Sequence, residues 1–337
     1  MEAAKEYNMS DQDLVQVEEM GRKKAEIISE IKKVIVGQDK VIEEILIALF
    51  CRGHCLLVGV PGLAKTLLIS TLAGIMELRF NRIQFTPDLM PSDITGTDIL
   101  EEEVGSKRRS FRFLKGPIFS NILLADEINR TPPKTQAALL QAMQEYKVTA
   151  GGVTYSLDLP FFVLATQNPI EQEGTYPLPE AQLDRFMFNI GIDYPPFDQE
   201  VEIVATTTTS YQPILNKVIH GEKIIQMQEL VRRVPASSHV IGYAVKLLRS
   251  SRPHEEEALP FIKEWVEWGA GPRASQHVIL AAKARAIMHG RYVASVEDVK
   301  AVVPSILRHR IITNFKAQAE GITSLAIVDH LLGEVEP

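Results

Sequence analysis

Three short segments of this chain combine residue types that could hold and cleave a phosphate anhydride. The first is Gly59-Val60-Pro61-Gly62-Leu63-Ala64-Lys65-Thr66, with Leu67 following, set between an apolar run and an amphipathic stretch. Backbone N–H groups of such a turn, together with the N-terminus of the helix it opens, form an anion site. A lysine in that position reaches β- and γ-phosphates, and the adjacent hydroxyl binds Mg²⁺. Those roles fall to Lys65 and Thr66. Ala64 stands where glycine is usual, and a methyl group there is tolerable if the residue has φ < 0. Taken alone, the segment also reads as an ordinary Gly/Pro turn.

The second segment, Ile122-Leu-Leu-Ala-Asp126-Glu127, is an apolar strand ending in two acids. A carboxylate at the end of a buried strand can hold the Mg²⁺ water shell, which suits Asp126, and its neighbour Glu127 can polarise the attacking water. The third, Phe161-Phe-Val-Leu-Ala-Thr166, runs into Gln167-Asn168-Pro169, where an amide side chain could sense the γ-phosphate or that water. An arginine is needed to neutralise the developing phosphoryl charge. Arg185, in Glu180-Ala-Gln-Leu-Asp184-Arg185-Phe186, and Arg273, in Gly271-Pro-Arg-Ala-Ser275, are available. Either one alone reads as a surface salt bridge.

Positioning these groups requires a particular scaffold. Short apolar runs alternate with amphipathic stretches at 66–76 and 134–145, the pattern of a mostly parallel sheet covered on both faces. Residues 13–33 carry Leu14, Val17, Ile27, Ile28 and Ile31 at helical spacing and predict a leading helix. Two segments interrupt the rhythm. Residues 97–115 hold two strand-like runs around a Gly105-Ser-Lys turn, and 147–155 hold β-formers around Gly151-Gly152, a hairpin signal. Past Tyr194-Pro195-Pro196 the periodicity becomes helical, with helices expected at 226–233, 240–250, 275–289, 296–307 and 322–332. Ser295 reads as the N-cap of the fourth, with Asp298 at the capping-box position. A domain boundary is therefore expected near 195–215.

Composition narrows the field. The 337 residues include 36 Lys+Arg against 43 Asp+Glu, a formal charge of -7, so no chain-wide attraction to nucleic acid or anionic membrane exists. Two cysteines, Cys51 and Cys55, are too few for a disulfide framework and predict reduced thiols in a cytoplasmic protein. The polar start and the shortness of every apolar run predict neither signal peptide nor membrane insertion. His54 reads as core packing at a strand entry, and Trp265 with Trp268 as an i,i+3 pair stitching a helix to its neighbour. Lys283, Arg285, Arg291, Lys300, Arg308, Arg310 and Lys316 form a locally basic stretch, read as a subunit interface or solvated face.

These motifs, in this order, resemble the MoxR family of AAA+ ATPases over nearly the whole chain. The likeness also includes Val36-Gly37-Gln38, Gln84-Phe-Thr-Pro-Asp-Leu-Met-Pro-Ser-Asp93-Ile-Thr-Gly96, Phe113-Leu-Lys-Gly-Pro-Ile-Phe119, Ala125-Asp-Glu-Ile-Asn-Arg-Thr-Pro-Pro133 and Leu307-Arg-His-Arg310. Ala64 belongs to that family's pattern too. The resemblance implies an α/β fold, a P-loop αβα sandwich with a parallel sheet followed by an all-α lid. It divides the chain into a helical lead-in (1–33), an ATPase core (34–197) and a lid (198–337). The core carries a helix-2 insertion (about 97–115) and a pre-sensor-1 hairpin (about 147–155), both facing a central pore in related rings.

By the same resemblance, residues 59–67 bind nucleotide, with Lys65 and Thr66 as Walker A. Asp126 and Glu127 are Walker B, Asn168 is sensor 1 and Arg273 is sensor 2. Val36 and Gly37 line the adenine pocket. Arg185 is the arginine finger acting in trans, with Arg130 a second candidate. The implied cofactors are ATP and Mg²⁺, and the implied activity is ATP hydrolysis in a ring, a hexamer, driving chaperone-like remodelling of protein clients. Von Willebrand factor A domain proteins are the partners such a resemblance suggests. Two other readings stand beside it: a nucleotide-gated scaffold with slow hydrolysis, and a DNA-associated motor like minichromosome maintenance helicases or magnesium chelatase subunits. The acidic total argues against nucleic acid.

Overall fold

The computed structural model describes residues 9–102, 109–170, 174–210 and 213–337. The polar start at 1–7 and the Gly105-Ser-Lys turn lie outside the described residues. The first part of the chain runs α1 (Asp11–Ile31), α2 (Asp39–Phe50), β1 (Cys55–Gly59), α3 (Lys65–Ile75), β2 (Phe80–Gln84), α4 (Pro91–Thr95), β3 (Gly96–Glu102), β4 (Arg109–Lys115) and β5 (Ile122–Asp126). It continues through α5 (Pro133–Glu145), β6 (Lys147–Ala150), β7 (Val153–Ser156), β8 (Phe162–Gln167), α6 (Glu180–Leu183) and β9 (Phe188–Ile192). The remainder is α7 (Phe197–Thr207), α8 (Gly221–Arg233), α9 (Ser238–Arg249), α10 (Pro260–Trp265), β10 (Val266–Trp268), α11 (Pro272–Met288), α12 (Val296–Leu307), β11 (Ile312–Thr313), α13 (Phe315–Ala319) and α14 (Ser324–Glu334).

Strands β2-β5-β8-β1-β9 form one parallel five-stranded sheet. The three inner strands are buried on both faces, which is why they read as unbroken apolar runs; Ile122, Leu123, Leu124 and Ala125 of β5 have no solvent exposure. The two edge strands escaped the sequence reading. In β2 only Ile83 is buried, and β9 alternates Phe188, Ile190 and Ile192 with Asn189 and Gly191. His54 enters β1 as core packing, as expected. Its Nδ1 accepts the Val163 N–H and its Nε2 pairs with the Met143 carbonyl, while burial pushes its pKa down to about 4.

Both interrupting segments are antiparallel hairpins, β3–β4 and β6–β7. Gly151 and Gly152 have φ of 57° and 77°, which a two-residue hairpin turn matched to the strand twist requires. The hairpins lean together through Phe113 stacked on Tyr155, with ring centroids 4.5 Å apart.

The leading helix forms slightly earlier than predicted, capped by Ser10 and Asp13. Val17, Met20, Ile27 and Ile31 are inaccessible against α3, α8 and α11. Lys223–Glu19 and Arg233–Asp13 pairs add to this, so α1 straps the sheet layer to the helices after it. All five expected later helices form, and Ser295 with Asp298 makes the anticipated capping box.

Two expectations are corrected. Trp268 is not helical: it lies in β10 and is 61% exposed, so only Trp265 packs inward. Within the basic stretch, expected as a subunit interface or solvated face, Arg285, Arg291 and Arg310 instead hold internal carboxylates, while Lys316 stays exposed. Arg285 and Arg291 both bind Asp298, which is fully buried, and Arg310 is itself buried on Asp184 and the carbonyls of Phe186 and Ile306. Guanidinium groups here neutralise internal carboxylates and cap chain ends. Among the described residues no helix is long and apolar enough to cross a membrane.

Candidate nucleotide site

Lys65, Thr66, Asp126, Glu127 and Asn168 meet at the carboxyl edge of the sheet, where parallel α/β folds bind ligands. The turn after β1 opens α3, an eleven-residue helix whose N-terminus has no side-chain cap. Its free N–H groups and dipole suit an anion. Gly59 has no room for a side chain, because a Cβ there would stand 2.6 Å from the Ile192 carbonyl. Gly62, at φ +86°, faces open space. Ala64 is a correction: its φ is 53° and ψ 21°, the left-handed region, so the condition φ < 0 does not hold. A methyl group there costs roughly 1–2 kcal/mol of local strain, which the surrounding turn must offset.

Lys65 folds back on this turn, its Nζ donating to the carbonyls of Gly59 and Val60 at 2.6 and 2.8 Å. Partial burial lowers its pKa, opposed by the charges of Asp126 and Glu127. A cavity of about 460 Å³ is lined by 61–67, Arg82, Gln84, Asp126, Glu127, Thr166, Gln167 and Asn168. A second, more apolar cavity of about 480 Å³ shares Pro61, Gly62, Leu63, Ala64 and Leu67 with it and adds Val36, Gln38, Tyr194 and Ile203. Gln38 Nε2 donates to the Leu63 carbonyl at 3.4 Å, tying the two cavities together. Gly37, at φ +69°, packs where a Cβ would meet Gln199 at 2.1 Å.

The acids are held by partners the sequence did not reveal. Thr166, 1% exposed at the end of β8, donates its hydroxyl to Asp126 Oδ1 at 2.5 Å and accepts the Glu127 N–H at 2.8 Å. Glu127 has φ 56°, a strained conformation for a non-glycine residue that this bond helps to fix. Arg82 of β2 donates from Nε and Nη2 to Asp126 Oδ2 at 3.1 and 2.6 Å. Gln84 Nε2 donates to Glu127 Oε2 at 2.9 Å, and Arg130 Nε lies 3.2 Å from the same oxygen. Arg82, Gln84 and Thr166 all reach the acids sideways across the β2–β5–β8 pairing, and the only sequence signal was their place in quoted motifs or next to one.

Asn168 is nearly buried and accepts the Ile170 N–H at 3.1 Å while lining the first cavity. The structure thus brings Lys65, Thr66, Asp126, Glu127 and Asn168 to one cavity, with Arg130 joined through Glu127. Arg185 and Arg273 line neither cavity. Arg185 Nη1 donates to the Leu140 carbonyl at 2.8 Å. Arg273 Nη1 donates to Asp184 Oδ2 at 2.8 Å, beside Arg310 on Oδ1.

The residues fit the implied cofactors. A hydroxyl from Thr66 and a carboxylate from Asp126 border one cavity, and Mg²⁺ favours a few such oxygen donors together with phosphate oxygens. The uncapped α3 N-terminus beside Gly62 fits a polyphosphate, and the adjoining apolar cavity is suited to a flat base.

Comparison with known proteins identifies the fold and the family. Residues 54–188 match the ATPase family associated with various cellular activities (AAA), and residues 262–331 match the AAA lid domain. The chain is 42% identical over 308 residues to chaperone MoxR1 of Mycobacterium tuberculosis, covering 91% of this chain and 80% of that one. It is 42% identical to the uncharacterized protein YeaC of Bacillus subtilis over 311 residues, covering 92% and 93%. It is 30% identical to MoxR of Methylorubrum extorquens over 293 residues, covering 84% and 85%. The solved structure of a candidate ATPase from Cytophaga hutchinsonii superimposes with a TM-score of 0.88 at 43% identity, covering 95% of this chain and 96% of that one. With its five-stranded parallel sheet, its helical lid and its 42% identity to chaperone MoxR1 over most of its length, the chain belongs to the MoxR family of AAA+ ATPases.

Proposed function

We propose that this protein hydrolyses ATP with Mg²⁺ and uses the cycle to remodel protein clients as a ring, a hexamer. The observation that carries the reading is the single cavity bordered by Lys65, Thr66, Asp126, Glu127 and Asn168. Lys65 leaves its loop carbonyls to neutralise β- and γ-phosphate oxygens, and Thr66 with Asp126 hold the metal. Bound there, Mg²⁺ would neutralise phosphate charge as it develops. Glu127 orients and polarises water, with Gln84 and Arg130 holding its carboxylate and Thr166 its backbone. Asn168 reads the γ-phosphate or that water. Val36 lines the cavity assigned to the base, and Gly37, which does not line it, shapes the turn between Val36 and Gln38.

Arg82 lines the first cavity but is held on Asp126, and Arg185 and Arg273 line neither cavity of this chain, so an arginine is still required at the transferred phosphoryl. That supports completion of the site by a neighbouring subunit, with Arg185 the donor we favour, and by a lid movement that carries Arg273 away from Asp184. We infer the division into 1–33, 34–197 and 198–337; the sheet's last strand at Ile192 and the helical run after it support it. The client role is supported by the name chaperone carried by the M. tuberculosis relative, and a von Willebrand factor A domain partner by family resemblance. Free, buried Cys51 and Cys55 suit a cytoplasmic setting.

The experiment is specific ATPase activity against protein concentration with Mg²⁺ present. A specific activity that climbs steeply with concentration is expected for sites shared between subunits. A flat rate from a protein shown to be monomeric throughout contradicts the trans arrangement.

A further inference from the structure

We propose that Arg82 is a built-in counter-cation for Asp126: it competes with Mg²⁺ for the metal-binding carboxylate and so sets how much Mg²⁺ is needed to prime the site. The inference rests on the reading of the cavity as a Mg²⁺–nucleotide site and concerns a residue to which that reading gives no part. Arg82 and Gln84 are two residues apart on β2 and therefore point to the same face of the sheet. Gln84 stands opposite Asp126 in the parallel register.

Two N–H groups of one guanidinium, Nε at 3.1 Å and Nη2 at 2.6 Å, converge on Asp126 Oδ2. The other carboxylate oxygen is taken by the Thr166 hydroxyl. Both lone pairs of Oδ2 are then engaged, so a metal ion that uses this oxygen, directly or through a water, has to displace Arg82. The two partners differ in freedom. The Arg82 side chain is 47% exposed and Asp126 only 14%, so the cation can swing out while the carboxylate stays fixed.

Arg82 also has a place to remain once displaced, since Nη2 already donates to Gln84 Oε1 at 2.7 Å. Gln84 in turn holds Glu127, so the same cation is linked to both acids of the site. With Lys65 turned back onto Gly59 and Val60, Arg82 and Arg130 stand against the two carboxylates among the described residues. Without them, two adjacent negative charges at a strand end would repel each other and spoil the site before a metal arrived.

The test is a Mg²⁺ titration of a fluorescent, non-hydrolysable ATP analogue binding to the full chain, with Arg82→Gln and Arg82→Lys beside the unsubstituted protein. Removing an exposed competing ion pair should lower the Mg²⁺ midpoint for R82Q by roughly three- to tenfold. R82K, which keeps the charge but loses the paired donors, should fall between the two. Melting curves of both variants check folding, and R82K keeps the comparison usable if R82Q melts early. A midpoint that is unchanged or raised in both variants overturns the counter-cation role and leaves Arg82 as a pin between β2 and β5. If the unsubstituted chain binds no nucleotide at any Mg²⁺ concentration, the site reading fails and this inference fails with it.

Discussion

Replacing Thr166 by valine tests whether the strand β8 hydroxyl sets the geometry of the two acids. The change keeps the branched shape and deletes one oxygen. That oxygen is buried, accepts the Glu127 N–H at 2.8 Å and donates to Asp126 Oδ1 at 2.5 Å. A buried N–H left without a partner costs about 1–3 kcal/mol, and a hydrogen bond to a charged group is worth about 1.5–3 kcal/mol. Part of each is recovered by relaxation and by water at Asp126, so about 2–4 kcal/mol of stability should be lost. Glu127, already at φ 56°, would lose the bond that fixes its backbone. Loss of such a supporting contact typically costs 10- to 100-fold in activity, or about 1.4–2.8 kcal/mol of transition-state stabilisation. Steady-state phosphate release should show the fall in kcat with KM for ATP little changed, and thermal melting should show the stability loss. Thr166→Ser restores the hydroxyl and should recover most of both. Valine at this position with unchanged kcat and melting, or serine no better than valine, refutes the reasoning.

Other outcomes follow from the same contacts. Ala64→Gly removes a left-handed alanine at the cost of added chain entropy, so it should stabilise the protein by roughly 0.5–1 kcal/mol, read by denaturant unfolding. A drop in stability would contradict the strain assigned to Ala64. Arg185→Ala should bind an ATP analogue within about twofold of the unsubstituted chain yet lose turnover. Mixing it with Lys65→Ala should restore part of the rate, because intact sites then form between the two chains; normal turnover by Arg185→Ala alone removes it from the trans role. Acid should destabilise the fold through its buried histidines. Burial pushes His54 down to about 4, and partial burial beside the Arg310 guanidinium pushes His277 to about 3 from the ordinary 6.5, so below pH 6.5 the unfolded chain takes up protons that the folded chain refuses. Stability contributed by each neutral ring is complete above about pH 6.5 and falls by up to about 1.4 kcal/mol per pH unit down to its folded pKa. Melting temperatures from pH 7.5 to 5 should decline, and a flat profile contradicts the burial of these rings as neutral groups.

What could be read from the sequence depended on how each residue gets its role. The phosphate turn, the Asp126-Glu127 pair and the Gly151-Gly152 hairpin were legible because their chemistry is written in consecutive residues. The inner strands were legible because burial on both faces forces unbroken apolar runs. Edge strands β2 and β9 were not, since each exposes one side and carries polar residues there. Arg82, Gln84 and Thr166 act across strand pairs far apart in sequence, and although Gln84 and Thr166 lie within quoted motifs, nothing local marks their hold on the acids. The left-handed conformation of Ala64 is set by the turn as a whole, and its residue type gives no sign of it. The basic residues after 280 looked like a surface because their carboxylate partners, Asp298 and Asp184, are brought to them only by helix packing and the return of the chain to the sheet edge.

The central claim is that Glu127 drives hydrolysis of a nucleotide held by Lys65, Thr66 and Asp126. The most direct measurement is the identity of the nucleotide bound after incubation with Mg²⁺ and ATP, comparing the unsubstituted chain with Glu127→Gln by extraction and chromatography. The account predicts ADP with released phosphate from the unsubstituted chain and intact ATP retained by the variant. Equal conversion to ADP by both chains would contradict it.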